Sequence, residues 1–368
     1  MRGRPRLYTS YERDMALLNT PGKRAGVVGI VGLAAALPFV LTDDLLVVGS
    51  LGLVASIGAI GLNLVTGYAG QVSLGHAFFI GLGAYTAAVI GSDPERARAL
   101  TLGVTFLPVW LLAAGVVAGI AGLLVAPLAV RLRGLYLAMV TLGLVFLGEH
   151  VFKEVTLITG GVGVGRVAAK LDLFGFDFSQ DSSLLTSEQQ TYLLMLALLV
   201  LFALIGRNIA RSDVGRAFAA VRDRDLAAQV IGVNLARQKA AAFTVSSFYA
   251  GVTGALFYTI SGFLEPTEFG LRLSVQYIAM ILIGGTATIS GSIMGALFIS
   301  TLGRLAREAL SALPFAGGLG GGGALNVFQL ETIVYGLLII GFLRFEPRGL
   351  YGIWVRIRNY WKGWPFSY

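Results

Sequence analysis

LLVVGSLGLVASIGAIGLNLVTGYAGQVSLGHAFFIGLGAYTAAVIG, residues 45–91, decides the architecture. It holds two apolar runs, 45–66 and 72–91, with a short polar and glycine-rich stretch between them. A helix that crosses a bilayer needs about 20 mostly apolar residues, and each run approaches that length. Glycine recurs at 67, 70, 75, 81 and 83, and Asn63, Thr66, Tyr68, Gln71, Ser73 and His76 form the densest polar patch within apolar sequence. Irregular backbone at membrane depth is tolerated only where protein buries it or where it lines a cavity. Two readings of 63–76 fit this pattern. One is a tight turn whose polar groups satisfy the backbone. The other is part of a pathway or gate that uses Asn63, Gln71, Ser73 and His76. His76 itself reads as a hydrogen-bonding packing residue in preference to a proton relay.

Further apolar runs lie at 25–42, 101–130, 135–152, 191–209, 241–261, 273–288, 291–305 and 327–344. The sequence therefore predicts an all-α, polytopic integral membrane protein with about ten transmembrane helices. The run 101–130 is too long for one simple span and is expected to tilt, to bend at Pro108 or Pro127, or to extend into water. Composition agrees. Of 368 residues, 56% are hydrophobic and 13% charged, with a mean hydropathy of +0.78. A soluble domain is about 25% charged, so too few charges are present to coat a water-soluble globule. The 50 glycines suit close helix packing in a membrane. The 10 prolines and the lack of a G-X-Y period exclude collagen-like and low-complexity chains.

The net charge of +8 is unevenly placed. With ten alternating spans, 20 of the 28 Lys and Arg residues but only 6 of the 20 Asp and Glu residues fall on the side of both termini. By the positive-inside rule that side is cytoplasmic, and the basic residues face anionic lipid rather than nucleic acid. The expected organisation is a cytoplasmic basic segment (1–24), a transmembrane domain (25–345) and a cytoplasmic basic and aromatic tail (346–368). Within the domain, 153–190 is an external loop and 206–240 a cytoplasmic loop; the glycine run 317–323 is an external turn. The apolar run near the N-terminus reads as a retained helix, since Thr42-Asp43-Asp44 follows it in place of a cleavage site. Trp354, Trp361 and Trp364 read as interfacial anchors or partner contacts, and Tyr136 as an interfacial anchor.

Chemical motifs are lacking. Cysteine is absent, which removes disulfides, thiolate metal sites and thiol nucleophiles. No G-x-x-x-x-G-K-[ST] and no G-x-S-x-G occurs, so neither a P-loop nor a nucleophile elbow is expected. His76 and His150 have no partners at metal-ligand spacing. The chain is expected to have no catalytic residues, metal or cofactor. Glu149 and Glu331 fall inside apolar runs, where a carboxylate must be paired or near water. Each reads as a paired or interfacial group, with a gate or cavity wall as the alternative. In the basic loop, Ser212 or Asp213 is positioned to cap a helix to about Arg222. Asp225 is positioned to cap a second, 226–231, that ends at Gly232. That loop is either a lipid-facing surface or a docking element.

Five blocks carry a resemblance. GYAGQVSLGHAFFIGLGAY (67–85), RLRGLYLAMVTLG (131–143), TGGVGVG (159–165), GRAFAAVRDRDLAAQVIGVN (215–234) and FEPRGLYG (345–352) occur in the order found in permease subunits of branched-chain amino acid ABC importers. The chain resembles that family over about 45–355, and RLRGLY with the long external loop resembles its M-type (LivM-type) member. Two departures stand out: 215–234 lacks the Glu-Ala-Ala of other importer permeases, and TGGVGVG continues into Arg166. The resemblance implies import of Leu/Ile/Val-like amino acids, with urea or short amides as the alternative within the family. It implies a second permease subunit, two cytoplasmic ATP-binding subunits and an extracytoplasmic binding protein as partners. It also implies that Gly215, Asp225, Leu226, Ala227, Ala228, Ile231 and Gly232 couple to the ATPases. Thr159, Gly160 and Gly161 would join the candidate pathway or gate with Glu149. An ion-coupled secondary transporter is the rival class; it predicts internal repeats, and no convincing one occurs. A scaffold or membrane enzyme is the third, and no catalytic constellation supports it.

Overall fold

The computed structural model describes residues 21–92, 99–132, 134–161, 165–167, 169, 171–173, 176–178, 180–182, 185–311, 327–346 and 348–363. The statements below concern those residues. Residues 1–20, 162–164, the glycine run 317–323 and Trp364 lie outside them, as do the side chains of Glu331 and Trp361.

Each of the ten apolar runs forms a helix. In chain order the helices are α1 (Pro21–Ala36), α2 (Asp43–Asn63), α3 (His76–Gly91), α4 (Leu107–Arg131), α5 (Leu135–Glu154), α6 (Ser187–Arg211), the short α7 (Asp213–Asp223) and α8 (Asp225–Val230), α9 (Leu235–Ser261), α10 (Leu271–Gly284), α11 (Ile289–Ser311), α12 (Val327–Phe345) and the terminal α13 (Gly349–Gly363). Asp43–Tyr68, α4, α5, α6 and α9 are long and apolar enough to cross a bilayer; Arg24–Phe39, α3, α10 and Ile289–Leu305 are shorter apolar helices.

The boundaries differ from the sequence reading where local chemistry decides them. The run 101–130 does not form one helix from its start. Pro108 in the first turn of α4 fixes where the helix begins, while Leu102 and Val104 donate backbone bonds to Val89 and Ile90 in an extended stretch. Pro127 sits inside α4, which continues to Arg131. A capping box starts α6: Thr186 Oγ1 accepts from the Gln189 amide, and Gln189 Oε1 accepts from that of Thr186. Asn234 Oδ1 caps α9 through the Arg237 amide at 3.0 Å. These caps shorten both expected loops, the external one to little more than 155–186 and the basic one to 212–234. Among the described residues of 155–186 are the turn Thr156–Thr159 and three two-residue strands, β1 (Arg166–Val167), β2 (Asp172–Leu173) and β3 (Phe176–Asp177). β1 pairs antiparallel with β4 (Phe263–Leu264), and β2 with β3.

The central helix is α9, which packs against α4, α3 and α2; α2 also contacts α6 and α11, and α10 contacts α11. Lipid tails are as apolar as leucine, so burial alone gives helices no reason to associate in a membrane. Close contact through small residues does. At the crossing of α3 and α9, a Cβ on Gly83 would meet the Gly251 backbone, and one on Gly254 would meet the Ile80 carbonyl. Trp110, Phe243, Tyr249, Phe269 and Tyr277 fill the interior around this crossing. The Tyr249 hydroxyl donates to the Phe202 carbonyl at 2.9 Å. Leu112, Leu123 and Leu124 on α4, and Met139, Phe146 and Leu147 on α5, stay exposed. In a spanning helix such a face belongs to lipid or to another membrane subunit.

Candidate gate and coupling site

The α2 helix does not stop at Asn63 but widens into a π-helical turn over Leu64–Tyr68, with Gly70 following at φ +68°. Asn63 sits fully buried at the base of this break. Its Nδ2 donates to the Ser292 hydroxyl at 2.7 Å and the Thr288 carbonyl at 3.0 Å, with a longer contact to the Gly285 carbonyl at 3.5 Å. Its Oδ1 accepts from the Ala287 amide at 2.8 Å. Ala287 has φ +56° and is the one non-glycine residue with positive φ among those described. One amide therefore holds the α2 break against the α10–α11 turn. Gly67 completes the fit, because a Cβ there would meet Asn63 Oδ1 and the Ala287 nitrogen.

The chain then runs irregularly to α3. Ser73 Oγ accepts from the Gly75 amide at 3.3 Å, the Leu74 amide donates to Thr141 Oγ1 at 2.9 Å, and the Ala77 amide donates to Ser274 Oγ at 3.0 Å. These bonds serve amides near the N-terminus of α3, which would otherwise be orphaned. Gln71 is buried with both amide atoms unpartnered among the described residues, and so is His76 Nε2. The His76 ring packs on Tyr277 with centroids 4.9 Å apart. Of the four candidate gate residues, Asn63 is thus a clasp and Ser73 a turn residue, while Gln71 and His76 keep unused hydrogen-bonding capacity. Thr141, Ser274 and Ser292 complete the patch; they lie 65 or more positions away, and the local sequence does not point to them.

Thr159, Gly160 and Gly161 are not part of this patch. They form a turn near the other end of α3, about 22 Å away at 1.5 Å per residue. Thr159 Oγ1 donates to the Val155 carbonyl at 3.1 Å, and Gly160 and Gly161 take φ of +80° and +86°. Beside the turn, the buried Arg166 donates to the carbonyls of Ile158, Ala88 and Leu100 at 2.6–2.7 Å. Burial lowers the pKa of its guanidinium. Arg166, noted in the sequence only as a departure, is the residue that ties this end together. Glu149 belongs to neither group: it pairs with Lys153 Nζ at 2.6 Å one turn along α5, as the paired-carboxylate reading expects.

The basic segment divides into an anchored half and an exposed half. In α7, Phe218 is wholly buried in the main core, and Gly215 lies against the carbonyls of Ile209 and Ala210 where a Cβ has no room. Ser212 stands at the cap position, but its Oγ donates back to Ile209 at 2.7 Å and so caps nothing ahead. Arg224, not Asp225, holds the cap position of α8; Asp225 is the first helical residue. Gly232 has φ +91°, as the sequence predicts for the end of that helix. Ala228 is not on the surface. It is 2% exposed and packs with Val221 and Leu235, so this small core fixes α8 to α7 and α9. Leu226, Val230 and Ile231 instead face out, 66%, 87% and 75% exposed, beside the exposed Ala227. The two candidate regions meet at Arg222, whose Nη1 donates to the Gly67 carbonyl at 3.1 Å. No group of three or more His, Asp or Glu side chains able to hold a metal occurs among the described residues.

The family described as "Branched-chain amino acid transport system / permease component" matches residues 45–343. The chain belongs to this permease family. It is similar to the high-affinity branched-chain amino acid transport system permease protein LivM of Escherichia coli (strain K12), with 31% identity over 308 residues, covering 79% of this chain and 70% of that one. The LivM protein of Salmonella typhimurium is 30% identical over the same shares. A shorter likeness, 36% over 115 residues, links 29% of the chain to 33% of the autoinducer 2 import system permease protein LsrC of Enterobacter sp. (strain 638). No solved structure is a significant match. The permease is thus a multi-pass membrane protein and a transport component. The family match takes in the α2 break, the Thr159 turn and the whole of 212–234.

Proposed function

We propose that this permease is the membrane subunit of an ATP-driven importer for branched-chain amino acids. On this reading it pairs with a second permease, receives cargo from an extracytoplasmic binding protein and takes its energy from two separate cytoplasmic ATPases. Both termini and the 212–234 segment face the cytoplasm. The observation that carries the reading is the α8 face. Leu226, Val230 and Ile231 stand in the open on and just after a helix that Ala228 packs onto Val221 of α7 and Leu235 of α9, and Phe218 in turn seats α7 in the main core. An apolar face on a rigid mount, with no P-loop in the chain, suits docking into an ATPase groove.

Val230→Asp tests it and leaves the Ala228 core alone. An unpaired charge buried in a contact costs several kcal/mol, so ATPase retention should fall by about a hundredfold or more. Leucine uptake should fall with it, while membrane insertion and pairing with the second permease persist. Native uptake with ATPases still bound would remove the docking role. Uptake by this chain alone under an ion gradient would overturn the importer reading.

A further inference from the structure

We propose that Arg222 is the positioning residue through which ATPase movement reaches the α2 break; this rests on the importer reading above. The last carbonyls of a helix lack intrahelical partners and carry the negative end of its dipole, so a cation is stabilising there. Across 155 positions of sequence, Arg222 supplies that cation to α2 through its bond to the Gly67 carbonyl. The fit is tight at the base of the side chain: a Cβ on Gly70 would meet the Arg222 backbone and its first methylenes. Arg222 Nε also donates to Asp223 at 3.0 Å, which aims the guanidinium. Behind Gly67 stand Asn63 and Ala287, so a shift of the C-terminal end of α7, where Arg222 sits, pulls on a carbonyl that is one contact from the α10–α11 turn. Arg222 is exposed on its outer side and lies three residues from Asp225, where α8 begins. It touches both the moving part and the gate, while the docking face lies elsewhere.

The test uses the complete importer in proteoliposomes with Arg222→Gln and Arg222→Lys. The glutamine variant should bind its ATPases and hydrolyse ATP at native levels, yet import leucine about tenfold less per ATP, the effect of one lost charge-assisted bond. The lysine variant should restore most of that ratio. A second readout is independent of transport. The native chain has no cysteine, so Thr286→Cys, exposed on the α10–α11 turn, reports the turn by its thiol-labelling rate with and without ATP. That rate should respond to ATP in the Arg222 background and not with Arg222→Gln. An unchanged import-to-ATP ratio with a normal labelling response would overturn the proposal, as would glutamine and lysine variants that fail alike. Loss of ATPase binding in Arg222→Gln would assign the residue to docking instead. Failure of the unsubstituted chain to bind ATPases at all would mark failure of the importer reading, which is a different result.

Discussion

Asn63 commits its whole side-chain amide to backbone and hydroxyl partners more than 220 positions away. Asn63→Leu would leave the Ala287 amide without its acceptor, at a cost of about 1–3 kcal/mol, while the Thr288 carbonyl keeps the Ser292 amide and hydroxyl. Asn63→Asp keeps the Ala287 bond but turns an acceptor toward the Thr288 oxygen, so it should be no milder. Thermal unfolding of the purified chain in detergent should show both variants melting well below the native protein; curves that overlay would mean the clasp is dispensable. Three cations, the buried Arg166 and Lys239 and the more exposed Arg222, act in a related way on carbonyls. Arg222 meets Gly67, Lys239 Nζ lies 3.5 Å from the Ala129 carbonyl near the end of α4, and Arg166 meets Ala88 near the end of α3. In each case the charge is held against carbonyls near the C-terminal end of a helix.

At the scale of elements, α8 has only six residues and little intrinsic stability, so its packing and its end must hold it. Its end depends on Gly232, where open space surrounds the Cα but φ is +91°. Gly232→Val would meet no neighbour and would still strain the backbone by about 1–2 kcal/mol. Hydrogen exchange should quicken across 225–231 and remain native in α9; unchanged protection of α8 would mean that its small core alone fixes it. Gly232 is legible in the sequence because a turn signal after a short apolar run has a local cause. The apolar helices are legible for a similar reason, since an apolar run is a property of the segment itself. Ala228 is not. In a helix of fewer than two turns the inward side has no periodicity to announce it, and a small residue reads equally well as contact surface or as core. Arg222 is equally opaque, because nothing near it in sequence names Gly67 as its partner. The 63–76 patch lies between these cases: its polar density marks it, while Thr141, Ser274, Ala287 and Ser292, which decide what it does, come from elsewhere.

In the whole molecule the two ends differ in charge and in finish. The starts of α2 and α6 and the end of α9 gather around a cavity of about 180 Å³ lined by Ser50, Ser187, Glu188 and Thr259. The opposite end carries the basic segment, with Arg222 and Lys239 on helix carbonyls. Single cysteines at Ser182, near the first end, and at Gln229, on the basic segment, should therefore label from opposite faces of the membrane, Gln229→Cys from the cytoplasm and Ser182→Cys from outside. Labelling of both from one face would overturn the ten-span topology. The crossing of α3 and α9 at Gly83 and Gly251 has a consequence for inheritance. Every amino acid other than glycine carries a Cβ, so a missense change in the Gly83 codon drives an atom into the Gly251 backbone. Such codons have no conservative neighbour, and errors there are lost outright instead of being graded. Leu112, Leu124 and Leu147, exposed on the outer faces, can exchange for Ile, Val or Phe at little cost. Random mutation should therefore spread across the outside of the molecule while leaving that one crossing untouched.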